Sequence, residues 1–199
     1  VKKNILIILL LFSGVESSAQ NPFTYQPIKY TTDTQIISQI NRYIFVGSGV
    51  LKNAMSIHVS WDNRTMFKQA VDCYTHAVLI NDTIFILGYM KGILGWGFQA
   101  TLFNDSCIIT SFARSDGDIY KYKTSDKKAV SNVALASTTQ TLKLTKNPRF
   151  KPGESLSGVV QLESKPFYYY INKATHFATI KLRAYFKTGP LRPKVDPVH

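Results

Sequence analysis

From Met55 onward, apolar and polar positions alternate along most of the chain, and the alternation predicts strands. Met55, Ile57 and Val59 alternate with Ser56, His58 and Ser60, the period-2 signature of a half-buried strand. Two later stretches share one layout. Val78-Leu79-Ile80-Asn81-Asp82-Thr83-Ile84-Phe85-Ile86 and Thr101-Leu102-Phe103-Asn104-Asp105-Ser106-Cys107-Ile108-Ile109 each set Asn-Asp and a small hydroxyl between apolar arms. Asn and Asp tolerate the positive φ that tight turns demand, so both predict hairpins. Residues 119–123, 133–136, 142–145, 156–163, 167–171 and 177–187 extend the strand list, parted by turn clusters such as Asn147-Pro148 and Pro152-Gly153. Residues 65–77 suit a helix or a strand equally.

One segment has a helical period. Ile36, Ile37, Ile40, Tyr43 and Ile44 line one face of a 3.6-residue repeat. Thr32 and Gln35 fit a capping box, and Gly47 fits a stop. Nine or ten short strands and one short N-terminal helix predict an all-β, mainly antiparallel fold over residues 20–189, a single β-sandwich domain, with a β-barrel as the alternative. The gaps near 88–97 and 146–155 favour the sandwich. Residues 190–199 hold Pro190, Pro193 and Pro197 and predict a flexible C-terminal tail.

Residues 1–19 read as an address. Lys2 and Lys3 precede an apolar run from Ile5 to Phe12, and Ser17-Ser18-Ala19 forms a small-residue cleavage site, the layout of a secretory signal peptide. The run is shorter than the roughly 20 residues of a membrane span, and no other run is longer, so no transmembrane span is expected in the mature chain. Val1 fits a non-standard start codon and a bacterial source. Export to the periplasm or the extracellular space follows.

Export bears on the cysteines. Cys73 and Cys107 are the two in the chain, and an oxidising compartment permits a disulfide between them. It would close a loop of about 35 residues, worth about 3–4 kcal/mol; two buried free thiols are the alternative. No spacing of the CxxC kind marks a metal site.

Charge separates the two halves. Residues 20–199 carry 22 basic against 11 acidic residues, and from Thr141 onward the count is 11 against 3. A basic half steers toward anionic partners. If Ala178, Ile180, Leu182, Ala184 and Phe186 face the core, then Lys181, Arg183, Tyr185 and Lys187 face outward, and Leu142 with Leu144 inward puts Lys143 out as well. Lys143, Lys181, Arg183, Tyr185 and Lys187 are therefore the candidate binding stripe, in which arginine offers a two-toothed grip on phosphate or carboxylate. A two-faced sheet also needs a polar outer side, and lysine guards strand edges. Phe167-Tyr168-Tyr169-Tyr170 predicts two buried and two outer rings. Arg149 to Val160, with Pro152-Gly153-Glu154, resembles the turn that enters a strand in arrestin-like and related β-sandwich domains. That likeness spans a dozen residues and implies a strand start, with no function attached.

Catalytic signals are thin. Most aspartates sit in turns, Gly47-Ser48-Gly49 lacks the spacing of a nucleophile elbow, and no Gly-rich loop opens a helix, so neither cofactor nor nucleotide is expected. The leading expectation is an exported, non-enzymatic binding or envelope-associated module for an anionic polymer or glycan. A carrier for small apolar ligands, with Tyr and Phe lining a barrel cavity, is the second. A secreted hydrolase pairing His58 or His176 with an aspartate is the third, and it requires such a pair within hydrogen-bond reach inside a cleft.

Overall fold

The computed structural model describes residues 25–46, 49–62, 64–90, 95–171 and 173–193. The expected signal peptide and most of the expected tail lie outside these residues.

Eight strands wind up and down and close on themselves. They are β3 (Val50–Trp61), β4 (Arg64–Ile80), β5 (Thr83–Tyr89), β6 (Gly95–Phe103), β7 (Ser106–Arg114), β9 (Asn132–Leu144), β10 (Ser157–Ser164) and β12 (Ala174–Lys187). Each pairs antiparallel with the next, and β12 returns to pair with β3. The β7–β9 ladder, Thr110↔Ala136 to Arg114↔Asn132, makes the ring continuous. The fold is thus all-β and mainly antiparallel as expected, and it takes the barrel form rather than the sandwich. Of the gaps that favoured two sheets, Gly88–Tyr89 and Gly95–Gly97 belong to β5 and β6, and 146–155 connects β9 to β10 on one closed sheet. Residues 65–77 are strand, inside β4.

The two Asn-Asp hairpins form as expected. Ile80 pairs with Thr83 and Phe103 with Ser106, leaving two-residue turns. Asn81, Asp82 and Asn104 all have positive φ, which is why these residue types stand there.

The N-terminal segment patches a seam. Past Thr110 and Ala136, β7 and β9 diverge. β1 (Ile28–Lys29) pairs with Cys107 and Ser106 of β7, and β2 (Thr31–Thr32) pairs in parallel with the end of β9. Gln140 completes the patch: its Oε1 accepts from the Ile109 amide at 3.2 Å, and its Nε2 donates to the Gln26 carbonyl at 3.0 Å.

The helix α1 is short, Ile36–Ile40, and no side chain caps it. The capping box does not form; instead the Gln35 amide donates to Asp33 Oδ1 at 3.0 Å. Ile36 and Ile40 are buried, whereas Ile37 and Ile44 are exposed, so only half of the expected apolar face packs. It packs on the outside of β10 and β12.

Inside the barrel, Ile57, Ile84, Phe98, Leu102, Ile109, Leu135, Val160, Ile180 and Phe186 are at most 1% exposed. Eight strands give an interior just wide enough for side chains to occupy. Glycines ease the packing beside the large rings: a Cβ on Gly88 would strike the Phe98 ring, and one on Gly158 would strike the Lys143 carbonyl and crowd the Phe186 ring. A carrier cavity would need the room where Phe98 and Phe186 sit, ring centres 6.0 Å apart.

β11 (Phe167–Ile171) pairs with the first half of β12, and β8 (Tyr120–Lys121) pairs with β11. Phe167 and Tyr169 are buried, while Tyr168 is half-buried and Tyr170 exposed, the expected two-and-two split. β13 (Arg192–Pro193), inside the expected tail, instead pairs with Val78 and Leu79 of β4.

Of the two readings for the cysteines, the structure takes the free thiols and not the candidate disulfide. Cys73 on β4 and Cys107 on β7 are buried free thiols, with β5 and β6 between their strands. Burial pushes both thiols up to about 12.

Candidate functional site

β12 builds the candidate site, because its alternation separates a buried face from an outer one. Ile180, Leu182, Ala184 and Phe186 point in; Lys181, Arg183 and Lys187 point out and are exposed. The flanking strands then supply neighbours by register. Lys181 lies between His58 of β3 and Glu163 of β10, and Arg183 between Ser56 and Gln161. One strand further out, Lys68 stands beside His58, and Thr141 beside Gln161. These residues line a surface groove of about 380 Å³.

Three cations and one acid share this groove. Lys181 Nζ lies 3.3 Å from Glu163 Oε1, an exposed ion pair of the kind worth little to stability, so Lys181 is open to exchange its partner. Arg183 is held more firmly. Its Nη2 donates to the Tyr185 hydroxyl, which in turn donates to Gln39 Oε1 of the helix at 2.7 Å. The guanidinium also lies 5.1 Å from the Tyr185 ring centre, a cation–π contact. His58 Nε2 is 2.9 Å from Thr65 Oγ1.

The expected stripe is split rather than continuous. Lys181 and Arg183 enter the groove. Tyr185 is only 8% exposed; it sits under the helix, 5.2 Å from the Tyr43 ring, and serves as the post behind Arg183. Lys187 lies beyond it, with Nζ 4.8 Å over the Phe45 ring. Lys143 is on β9, paired with Thr31 of β2 and Val159 of β10. Lys68 and His58 were not legible as partners, because alternation gives the face of a residue but not the register of its neighbour.

A second constellation lies where the β3–β4 turn meets the start of β12. His176 Nδ1 is 2.8 Å from Asp62 Oδ2, and the Phe177 amide donates to Asp62 Oδ1 at 3.0 Å. The hydrogen bond from His176 is the main reason the Asp62 carboxyl titrates below its ordinary range, with the Phe177 amide adding to it. Trp61 stacks on Tyr169 at 5.6 Å and meets the His176 ring edge-on at 4.6 Å. Trp61, Asp62, Arg64 and His176 line an open pocket of about 530 Å³. Among the described residues, no serine or cysteine bonds to His176, and no three metal-ligating side chains gather.

No protein-family model, curated protein or solved structure matches this chain.

Proposed function

We propose that the chain is an exported, non-enzymatic binding module whose outer groove across β9, β10, β12 and β3 takes an anionic polymer or glycan. The observation that carries this reading is the convergence of Lys68, Lys181 and Arg183 in one groove of about 380 Å³. Arg183 is pre-positioned by Tyr185 and Gln39, so little side-chain entropy is lost when it meets a carboxylate or sulfate. Gln161, Thr141 and Ser56 add amide and hydroxyl groups suited to sugar hydroxyls. Retention on an immobilised anionic polysaccharide such as heparin tests it. Lys181→Glu/Arg183→Glu should lose retention, and a charge-matched control on the exposed loop, Lys127→Glu/Lys128→Glu, should keep most of it. Equal losses in both variants would reduce the effect to net charge and end the proposal.

A second reading, a hydrolase, is favoured by the Asp62–His176 contact. The carboxylate fixes the imidazole with a proton on Nδ1, leaving Nε2 to take a proton from water. Turnover of chromogenic esters or glycosides that disappears in His176→Ala would support it; no turnover by the wild-type chain would remove it.

A further inference from the structure

Among the described residues, exposed large apolar side chains are few, and four of them crowd one short segment. Ile37 is 52% exposed, Ile44 65%, Phe45 43% and Val46 46%. Ile44 to Val46 form the outgoing arm of a small hairpin that extends β3. Phe45 bridges Leu51, the Val46 amide donates to the Val50 carbonyl at 2.9 Å, and the Lys52 amide donates to the Ile44 carbonyl at 3.0 Å. The returning arm is fastened to the barrel. The Thr75 amide donates to the Gly49 carbonyl at 2.6 Å, and Gly49 has φ +90° with no room for a Cβ against the Thr75 carbonyl. The arm is thus ordered by its backbone while its side chains face outward.

The pattern of exposure decides what such an arm fits. In an extended arm, residues 44 and 46 point to one side and residue 45 to the other. All three are exposed, Phe45 least because Lys187 Nζ lies over its ring, so apolar surface faces outward on both sides of the arm. A groove on a protein partner covers one face; an apolar medium that surrounds the arm covers both. The charges around it agree. Arg42 and Lys52 are exposed on the same segment, and Lys187 Nζ caps the Phe45 ring at 4.8 Å. An apolar arm flanked by basic residues suits the boundary between acyl chains and anionic head groups.

We propose that Ile44, Phe45 and Val46 insert into the interfacial layer of an anionic lipid bilayer, with Arg42, Lys52 and Lys187 on the head groups. This surface is separate from the groove, and the two are tested apart. Cys73 and Cys107 are buried, so a thiol introduced by Val46→Cys takes a polarity-sensitive fluorophore selectively. On vesicles of phosphatidylcholine with phosphatidylglycerol, that fluorophore should shift to the blue and be quenched by spin-labelled lipid. A fluorophore placed by Lys127→Cys should do neither. Ile44→Ser/Phe45→Ser should weaken vesicle partitioning by about tenfold or more, from the apolar area withdrawn, and leave heparin retention unchanged. Residues 1–19 are the same in every variant, so any contribution from them cancels. Three results would each overturn the proposal: no blue shift at position 46, equal partitioning by the serine variant, or lipid-free self-association that the serine variant abolishes, which would make a second copy the occupant.

Discussion

Single side chains decide where this barrel admits change. Gly88 and Gly158 face inward against Phe98 and the Lys143 carbonyl, and in both places the missing Cβ makes the packing feasible. Gly158→Ala should cost about 1–3 kcal/mol, the usual penalty of overpacking, and thermal denaturation would register it. The contact is with backbone, which cannot rotate aside. Cys73 and Cys107, pushed up to about 12 by burial, are held as thiols at neutral pH. Neither should react with a thiol reagent in the native chain, and both should react once it is denatured. Glu154 is buried to 1% of its side chain between Lys146 at 3.4 Å and Arg149 at 3.7 Å, and it accepts from the Arg149 amide at 2.8 Å. That contact gives the Pro152-Gly153-Glu154 turn a physical role: its carboxylate organises the loop that leads into β10.

At the scale of elements, most strands were legible and their joints were not. The Asn-Asp turns and the alternation of β3, β10 and β12 carry their own chemistry, so sequence alone places them. Closure is different, because β7 meets β9 only after the chain has run through residues 115–131, and nothing local encodes that pairing. The seam below this ladder depends on Gln140, whose amide bonds both Ile109 and Gln26. Gln140→Ala should cost about 1–3 kcal/mol by leaving the buried Ile109 amide unpaired. It should also speed hydrogen exchange at Ile109 while the β4–β5 ladder stays protected. The helix misled for a physical reason as well. Its isoleucine period runs on to Ile44, yet the backbone leaves the helix after Ile40 to join the hairpin, where Ile44 and Val46 obey a strand period instead.

The Asp62–His176 contact joins the β3–β4 turn to β12 and gives this end of the barrel a pH dependence. The folded-state pKa of Asp62 lies below the ordinary 3.8 because of the His176 hydrogen bond first and the Phe177 amide after it. A depressed carboxyl contributes stability above its unfolded value and loses it as pH falls through the folded one. Asp62→Asn should therefore lower the melting temperature at neutral pH, and the two chains should converge as pH drops below 3.8.

For the whole molecule, the outer side of β12 carries only part of the basic surplus of the C-terminal half: Lys181 and Arg183 in the groove and Lys187 beyond it. Alternation made Lys181 and Arg183 legible as outward cations. It did not show the helix that buries Tyr185 or the register that brings in Lys68 and His58, because both depend on contacts between distant segments. The reading of the groove predicts salt-sensitive binding, since exposed charges are screened over about 8 Å at physiological ionic strength. The most direct test is a nuclear magnetic resonance titration of the isotope-labelled chain with a short sulfated or uronate oligosaccharide. The groove reading predicts shifts concentrated on Ser56, Lys68, Thr141, Gln161, Lys181 and Arg183, which fade with added salt. Shifts confined to the pocket of Trp61 and His176, or spread over the exposed 123–128 loop, would contradict it.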